Sequence, residues 1–401
     1  MDMDMNLHLY DFEKNRIRSK SQNRKSLTDE EINDKYEKGD QRIITEQGAY
    51  KLNLLPNLFS SDNYTLQPAF QRRITWDDKK RSKLIESFIM NVPVPPVFLY
   101  EEDFSNYVVM DGLQRISAII DFYKNSYELC GLEEWSELNG KTYSQLPNKI
   151  REGIDRRQLS VITLLKESTD GPDSADKMKR TVFERLNTGG IQLEDQEIRN
   201  ALYQGPFNSA CIELSETKLF RKLWRLEGVS GKDSMEYSLD VDANLMAEKN
   251  RMIRRMYDVE LVLRYFALRD INSFNGRLNR YLDEYLKNAN LFTTEEIDLL
   301  KKDFISSINR IYQLFGDNSF CIFKKDKGWT QPQNMIYDAL MICLNDERIL
   351  SFESKGCVED NLLKLQEFYT KNEDNFNGRK QSRKDIINRV NLLTDFILKI
   401  L

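Results

Sequence analysis

The sequence predicts an α+β fold, with a small mixed sheet and flanking helices in the first half and an all-α domain in the second. Three observations predict it. Short β-branched and aromatic runs of strand length stand at 97–100, 107–110 and 158–165. Beyond residue 206 strand signals nearly vanish, and apolar residues recur three and four apart in one segment after another. The change of period is seen within one stretch, YVVMDGLQRISAIIDFY (107–123). There a strand run ends at Asp111-Gly112 and Ile116, Ile119, Ile120 and Tyr123 take up helical spacing.

In chain order, residues 1–41 read as a polar tail. It is basic at Lys14, Arg16, Arg18, Lys20, Arg24 and Lys25, the pattern of a solvated arm or of a contact with a nucleic-acid backbone. RIITEQGAYKLNLL (42–55) has strand-like stretches on either side of Gly48 and predicts a hairpin. In YTLQPAFQRRITW (64–76), Pro68 sets an extended or turn geometry between the anchors Phe70 and Trp76. Gln71, Arg72 and Arg73 place an amide and two guanidiniums in that loop, where pairing with Asp77 and Asp78 is the plainer use of the charges. Residues 79–91 form a helix with Leu84, Ile85, Phe88 and Ile89 on its apolar face. Pro93, Pro95 and Pro96 stop it and lead into the strand at 97–100.

A polar turn and the strand at 107–110 follow, and Asp111 stands where it can cap the next helix. Arg115 in the first turn of that helix is at odds with the helix dipole. An anion held between the helix N-terminus and the guanidinium, usually phosphate, removes the conflict; an ordinary strand–turn–helix corner with a solvated Arg fits the same residues. Residues 124–157 read as mixed loop, and QLSVITLL (158–165) as a strand. KMKRTVFERLNTGG (177–190) reads as a helix ending in a turn that brings backbone amides to the surface, and EDQEIRNALYQ (194–204) as a helix clustering Glu197, Arg199 and Asn200. In the helical half, Arg251, Arg254 and Arg255, then Arg379, Lys380, Arg383 and Lys384, form basic clusters that either face nucleic acid or decorate helix surfaces.

With 40% hydrophobic and 31% charged residues in 401, the chain has the composition of a polar-surfaced globular protein of two or three domains. The net charge of -5 does not announce a nucleic-acid partner. No apolar run reaches membrane-span length and the first dozen residues lack a signal-peptide core, so a cytoplasmic protein is expected. Cys130, Cys211, Cys321, Cys343 and Cys357 are scattered without a CxxC pair and read as buried thiols. The single histidine, His8, lies in the polar tail. A His-based zinc site, an HNH-type nuclease centre and a Ser-His-Asp triad are thereby excluded from these residues. Any chemistry must use carboxylates, Arg, Lys, amides and an oxygen-bound divalent metal.

Three segments in order resemble a known family. FQRRITW (70–76), DGLQR (111–115) and FERLNTGGIQLEDQEIRNAL (183–202) look like the signatures of the GmrSD-type restriction endonuclease N-terminal domain, and PVPPVFLY (93–100) matches its habit. That family is related to the ParB and sulfiredoxin fold and is marked by a DGQQR motif. The resemblance spans about residues 45–205. It implies a ParB/sulfiredoxin-like, nucleotide-binding domain at 42–205, followed by the all-α domain at 206–401. The implied function is binding and hydrolysis of nucleoside triphosphate within a DNA-restriction, antiphage defence system. Carried onto this chain, it makes Asp111, Gln114 and Arg115 catalytic and Gly112 part of the phosphate site. Gln71 and Arg72 become a second wall, and Asn187 with Glu197, Arg199 and Asn200 a third. Asp111 would bind magnesium or orient the attacking water.

Two departures qualify the match. Leu113 stands where the motif has its first Gln, a loss only where position 113 faces phosphate and not core. Many relatives carry or accompany an HNH-type nuclease, so a separate nuclease effector is the expected partner, together with DNA and a homo-oligomeric assembly. The alternative is a DNA-binding module or ParB-like nuclease that uses the same pocket for DNA phosphate.

Overall fold

The computed structural model describes residues 8–17, 28, 30, 33, 44–66, 76–165, 180–182, 194–229, 243–271, 274, 277–350, 357–376 and 382–401. They divide into two compact units, one within residues 23–194 and the other assembled from 1–22, 195–230 and 241–401. The chain opens in the second of these with α1 (Asp11–Ile17). Part of the expected tail is therefore a docked helix. Glu13 is 1% exposed and pairs at 3.1 Å with Arg269, which is fully buried. The Tyr10 hydroxyl donates to Asp303 at 3.1 Å, and Phe12 meets Phe292 edge-on. The two aromatics in LYDFE supply the apolar contact, and the basic run that follows them hid it.

The sheet unit starts with β1 (Thr45–Lys51), α2 (Leu55–Leu58) and β2 (Tyr64–Thr65), then α3 (Asp78–Met90). Gly48 does not turn the chain. It lies within β1 opposite Val161, so the hairpin expected there is one continuous strand. Asp77 caps α3 by accepting the Lys80 backbone N–H at 2.7 Å, and Asn91 ends the helix in the left-handed region before the prolines. Leu84, Ile85 and Phe88 are buried as their spacing requires.

β3 (Val97–Asp103) and β4 (Asn106–Asp111) form an antiparallel hairpin, and α4 (Leu113–Tyr123) follows at once. α5 (Asn148–Asp155) and β5 (Gln158–Leu164) complete the unit. Residues 148–155 had read as loop because only Ile150 and Ile154 mark the apolar face of so short a helix. The five strands run in the order β1-β5-β3-β4-β2. β5 lies parallel to β3 and antiparallel to β1, and β2 lies parallel to β4, so the sheet is mixed. Parallel neighbours need long crossovers, which the helices provide. Leu52, Leu55, Ile85, Val97, Ile116, Ile119 and Phe122 are fully buried in one core, each worth on the order of 1.5–3 kcal/mol of apolar transfer.

The helical unit continues with α6 (Asp195–Leu202), α7 (Pro206–Ser215), α8 (Lys218–Leu223), α9 (Ala243–Arg254), α10 (Tyr257–Leu268) and α11 (Leu278–Ala289). After α12 (Thr294–Phe315) comes a small hairpin, β6 (Phe323–Lys324) with β7 (Gly328–Trp329). The expected all-α domain is thus largely helical with one two-stranded ribbon. α13 (Asn334–Cys343), α14 (Glu347–Leu350), α15 (Val358–Lys371) and α16 (Arg383–Ile400) end the chain. Almost all of α10 is buried, and it packs on α7, α11 and α13. Cys211, Cys321 and Cys343 are buried as expected; Cys130 and Cys357 are exposed. Among the described residues no helix is long and apolar enough to cross a membrane.

The division between the units falls at Asp195, earlier than the expected 206, and Arg199 supplies the reason. Its guanidinium is fully buried and donates to Asp283 at 2.9 Å, to Glu260 at 2.9 Å and to Gln196 at 2.8 Å. These bonds tie α6 to α10 and α11. Removing one member of a buried ion network costs more than the network contributes, because charges remain without a partner. Arg199→Leu should lower the unfolding free energy of the full chain by about 3–5 kcal/mol in a denaturant titration. A loss below about 1 kcal/mol would show that the network does not hold α6 in place.

Candidate functional site

Asp111, Gly112, Gln114 and Arg115 come together where β4 hands the chain to α4. Gly112 is the N-cap residue, at φ +96°, a conformation that L side chains rarely adopt. A Cβ there would meet Val97 Cγ2 at 2.6 Å and Arg115 Nη2 at 3.1 Å. The position therefore requires glycine twice over, for its backbone angle and for its neighbour. The first intrahelical bond runs from the Ile116 N–H to the Gly112 carbonyl at 2.9 Å. The N–H groups of Leu113, Gln114 and Arg115 precede it and have no acceptor within the helix.

Asp111 does not cap the helix; α4 has no side-chain cap. Its carboxylate instead accepts from Arg115 Nη2 at 2.6 Å, and the same nitrogen donates to the Pro96 carbonyl at 3.2 Å. The anion that a first-turn Arg calls for is thus supplied from within the chain. The pair is partly open, with side-chain exposures of 15% for Arg115 and 42% for Asp111. Two polar atoms of the corner are buried without a partner, Arg115 Nε and Gln114 Oε1. Leaving such atoms unsatisfied costs roughly 1–3 kcal/mol each, which folded proteins accept mainly where a ligand or water completes the bonding. Leu113 is partly buried against the hydrophobic core, so its side chain belongs to the packing of the unit.

The other expected site residues divide into two groups. Gln71, Arg72 and Asn187 lie outside the described residues. Glu197, Arg199 and Asn200 are in the helical unit, 5%, 0% and 0% exposed. Glu197 pairs with Arg255 at 3.0 Å, and the Asn200 amide donates to Met256 Sδ at 2.7 Å. These side chains are bonded within the interior of that unit. A polar cluster on one helix turn reads alike in sequence whether it lines a cleft or fills a core.

Of the basic clusters, Arg251 and Lys384 are exposed, Arg255 is held by Glu197, and Arg383 donates to the Ile271 carbonyl at 3.1 Å. The Arg254 side chain and residues 379–380 lie outside the described set. Among the described residues no group of three or more His, Cys, Asp or Glu is placed to hold a metal ion. Asp111 offers a carboxylate at the corner, with one oxygen not engaged by Arg115. Sequence reading missed the Pro96 carbonyl and Val97, which form the wall of the corner; the PVPP run before the strand is the signal that marks them.

A five-stranded mixed sheet whose strand–Asp–Gly–helix turn carries an Arg on the first helical turn defines the class of domain. Residues 55–204 match the model of the GmrSD restriction endonuclease, N-terminal domain. The family points to an enzyme component of a restriction, antiphage defence system. No curated protein and no solved structure matches the chain significantly.

Gly112→Ala should lower the unfolding free energy by about 2–4 kcal/mol, from backbone strain and the clash with Val97. A thermal melt checks it. An unchanged midpoint would mean that Val97 and the corner yield freely.

Proposed function

We propose that this chain binds nucleoside triphosphate at the Asp111–Arg115 corner and hydrolyses it, as one component of the restriction, antiphage system to which its family points. The observation that carries the reading is the state of Arg115. One terminal nitrogen holds Asp111 and Pro96, while Nε is buried without a partner, as is the side-chain carbonyl of Gln114. A phosphate set against the first-turn amides would meet the guanidinium as well, and phosphoryl transfer asks mainly for such positioning and charge neutralisation. Asp111 then has two roles. It orients Arg115 in the free protein, and its second oxygen is available to order the attacking water. That oxygen and the nucleotide's phosphates would together hold magnesium, which supplies further charge neutralisation when bound.

In this reading Gln71 and Arg72 form a second wall and Asn187 a third. Leu113 is a packing substitution that leaves the phosphate contacts to the backbone. We assign the cutting of DNA to a separate nuclease effector, because one histidine, His8, cannot build an HNH centre from these residues.

The test is phosphate release from ATP, GTP, CTP and UTP with magnesium, with Arg115→Ala and Asp111→Ala beside the parent. Turnover with at least one nucleotide is expected. Arg115→Ala should reduce kcat/KM by about 10²-fold or more while the circular dichroism spectrum stays unchanged. No turnover, together with no nucleotide-dependent rise in melting temperature, would overturn the proposal. Binding of duplex DNA that Arg115→Ala abolishes, with no nucleotide response, would assign the corner to DNA phosphate instead.

A further inference from the structure

The helical unit contains a cavity that the Arg115 corner leaves unexplained. It lies between the β6–β7 hairpin, the start of α13 and the end of α15, and measures about 220 Å³. An apolar cavity of about 150 Å³ is enough to hold benzene, so this one admits a substituted ring. Phe323, Met335 and Phe376 supply apolar walls. Tyr369 also lines it; this residue is 1% exposed, and its hydroxyl is buried with no hydrogen-bond partner. A buried hydroxyl left in that state is destabilising unless a ligand or a water bonds to it.

The remaining polar lining is selective. Thr330 Oγ1 is already engaged, donating to the Gln331 carbonyl at 2.9 Å and accepting from the Ile322 N–H at 3.0 Å. Gln333 Nε2 donates to the Gln331 carbonyl at 3.2 Å, so its amide oxygen is the part left for a ligand. The cavity thus offers an acceptor and a hydroxyl of either sense, set among rings. Tyr369 and Phe376 stand edge-on at 5.2 Å, and Trp329 closes on Tyr369 at 6.4 Å. Lys324 and Lys325 are exposed, and Glu373 is the acidic residue among the lining.

We propose that this cavity binds a single purine or pyrimidine base with its attached phosphate, the ring stacked against Phe323 or Phe376, its polar edge on Tyr369 and Gln333, and the phosphate at Lys324 and Lys325. Aromatic side chains stack any base and lysines act on phosphate as point charges, so each part of the lining has a counterpart in the ligand. The base arrives either on a free nucleotide or on an unpaired stretch of nucleic acid. The site is independent of the corner at Arg115, since all of its lining comes from the helical unit.

The test uses the full chain carrying Arg115→Ala, so that nucleotide binding at the corner does not contribute. Two probes are titrated, a fluorescein-labelled single-stranded DNA by anisotropy and unlabelled nucleoside monophosphates by calorimetry. Tyr369→Phe removes only the unpartnered hydroxyl, and Lys324→Ala with Lys325→Ala changes only exposed side chains, so both variants should fold. Tyr369→Phe is expected to weaken binding about tenfold. The double lysine variant should weaken it further and reduce the salt slope for the DNA probe by about one to two. Loss with both probes supports the site with nucleic acid as source, and loss with monophosphates alone supports it with free nucleotide as source. Binding that both variants leave untouched overturns the proposal, as does binding that depends on the lysines but not on Tyr369, which would be surface charge alone.

Discussion

The corner of the sheet unit depends on one close approach, the packing of Gly112 beneath Val97. No Cβ fits there, and the backbone at 112 is left-handed. That single residue lets β4 end and α4 begin without an intervening loop. It fixes the direction of α4, whose Ile116, Ile119 and Phe122 then fill the core beside Val97 and Ile85. It also sets the distance over which Arg115 reaches back to Asp111 and Pro96. Core and site are therefore one arrangement, joined through the first turn of a helix. A change that loosened the packing would move the guanidinium with it.

Arginine is used in two ways in this protein, and burial separates them. Arg199 is fully enclosed, with its charge shared between Glu260 and Asp283 and its donors matched by four partners. Arg269 is enclosed as well, held by Glu13 from α1 and facing Asp303 at 3.6 Å. Both guanidiniums join helices that are distant in sequence. Arg115 is different in having one carboxylate and a partly open face; its unbonded Nε has counterparts in the buried Nε and Nη1 of Arg269. Unmatched donors alone therefore do not mark a site; an arginine enclosed on all sides has no face to offer a ligand, and one with a partly open face has. That contrast distinguishes the residues of the corner from Glu197, Arg199 and Asn200, which share the same residue types.

Local signals were legible wherever one stretch of sequence decides its own structure. The α3 helix with its Asp77 cap and proline stop, the β3–β4 hairpin and the Asp-Gly break before α4 are of this kind. The misses share a different cause. Gly48 looked like a turn because its strand partner, Val161, lies far downstream. α5 was missed because two isoleucines are a weak periodic signal, and β6–β7 because two-residue strands leave almost none. α1 was read as tail because its reason for being ordered is a pocket made by Arg269, Asp303 and Tyr285, all remote in sequence.

The sequence by itself determined the α+β class, the match of residues 55–204 to the family model, and the strand–helix corner that carries Asp111, Gly112, Gln114 and Arg115. Each of these rests on residues within a few positions of one another, so chain connectivity enforces them. Only the tertiary structure decided that Asp111 answers Arg115 and leaves the helix uncapped, that Leu113 packs with the core, and that the α6 cluster is interior. It alone gathered Tyr369, Gln333 and the β6–β7 lysines around one cavity. Those outcomes depend on which distant segments meet and on how far water is excluded where they do, and neither is written in any single stretch of the chain.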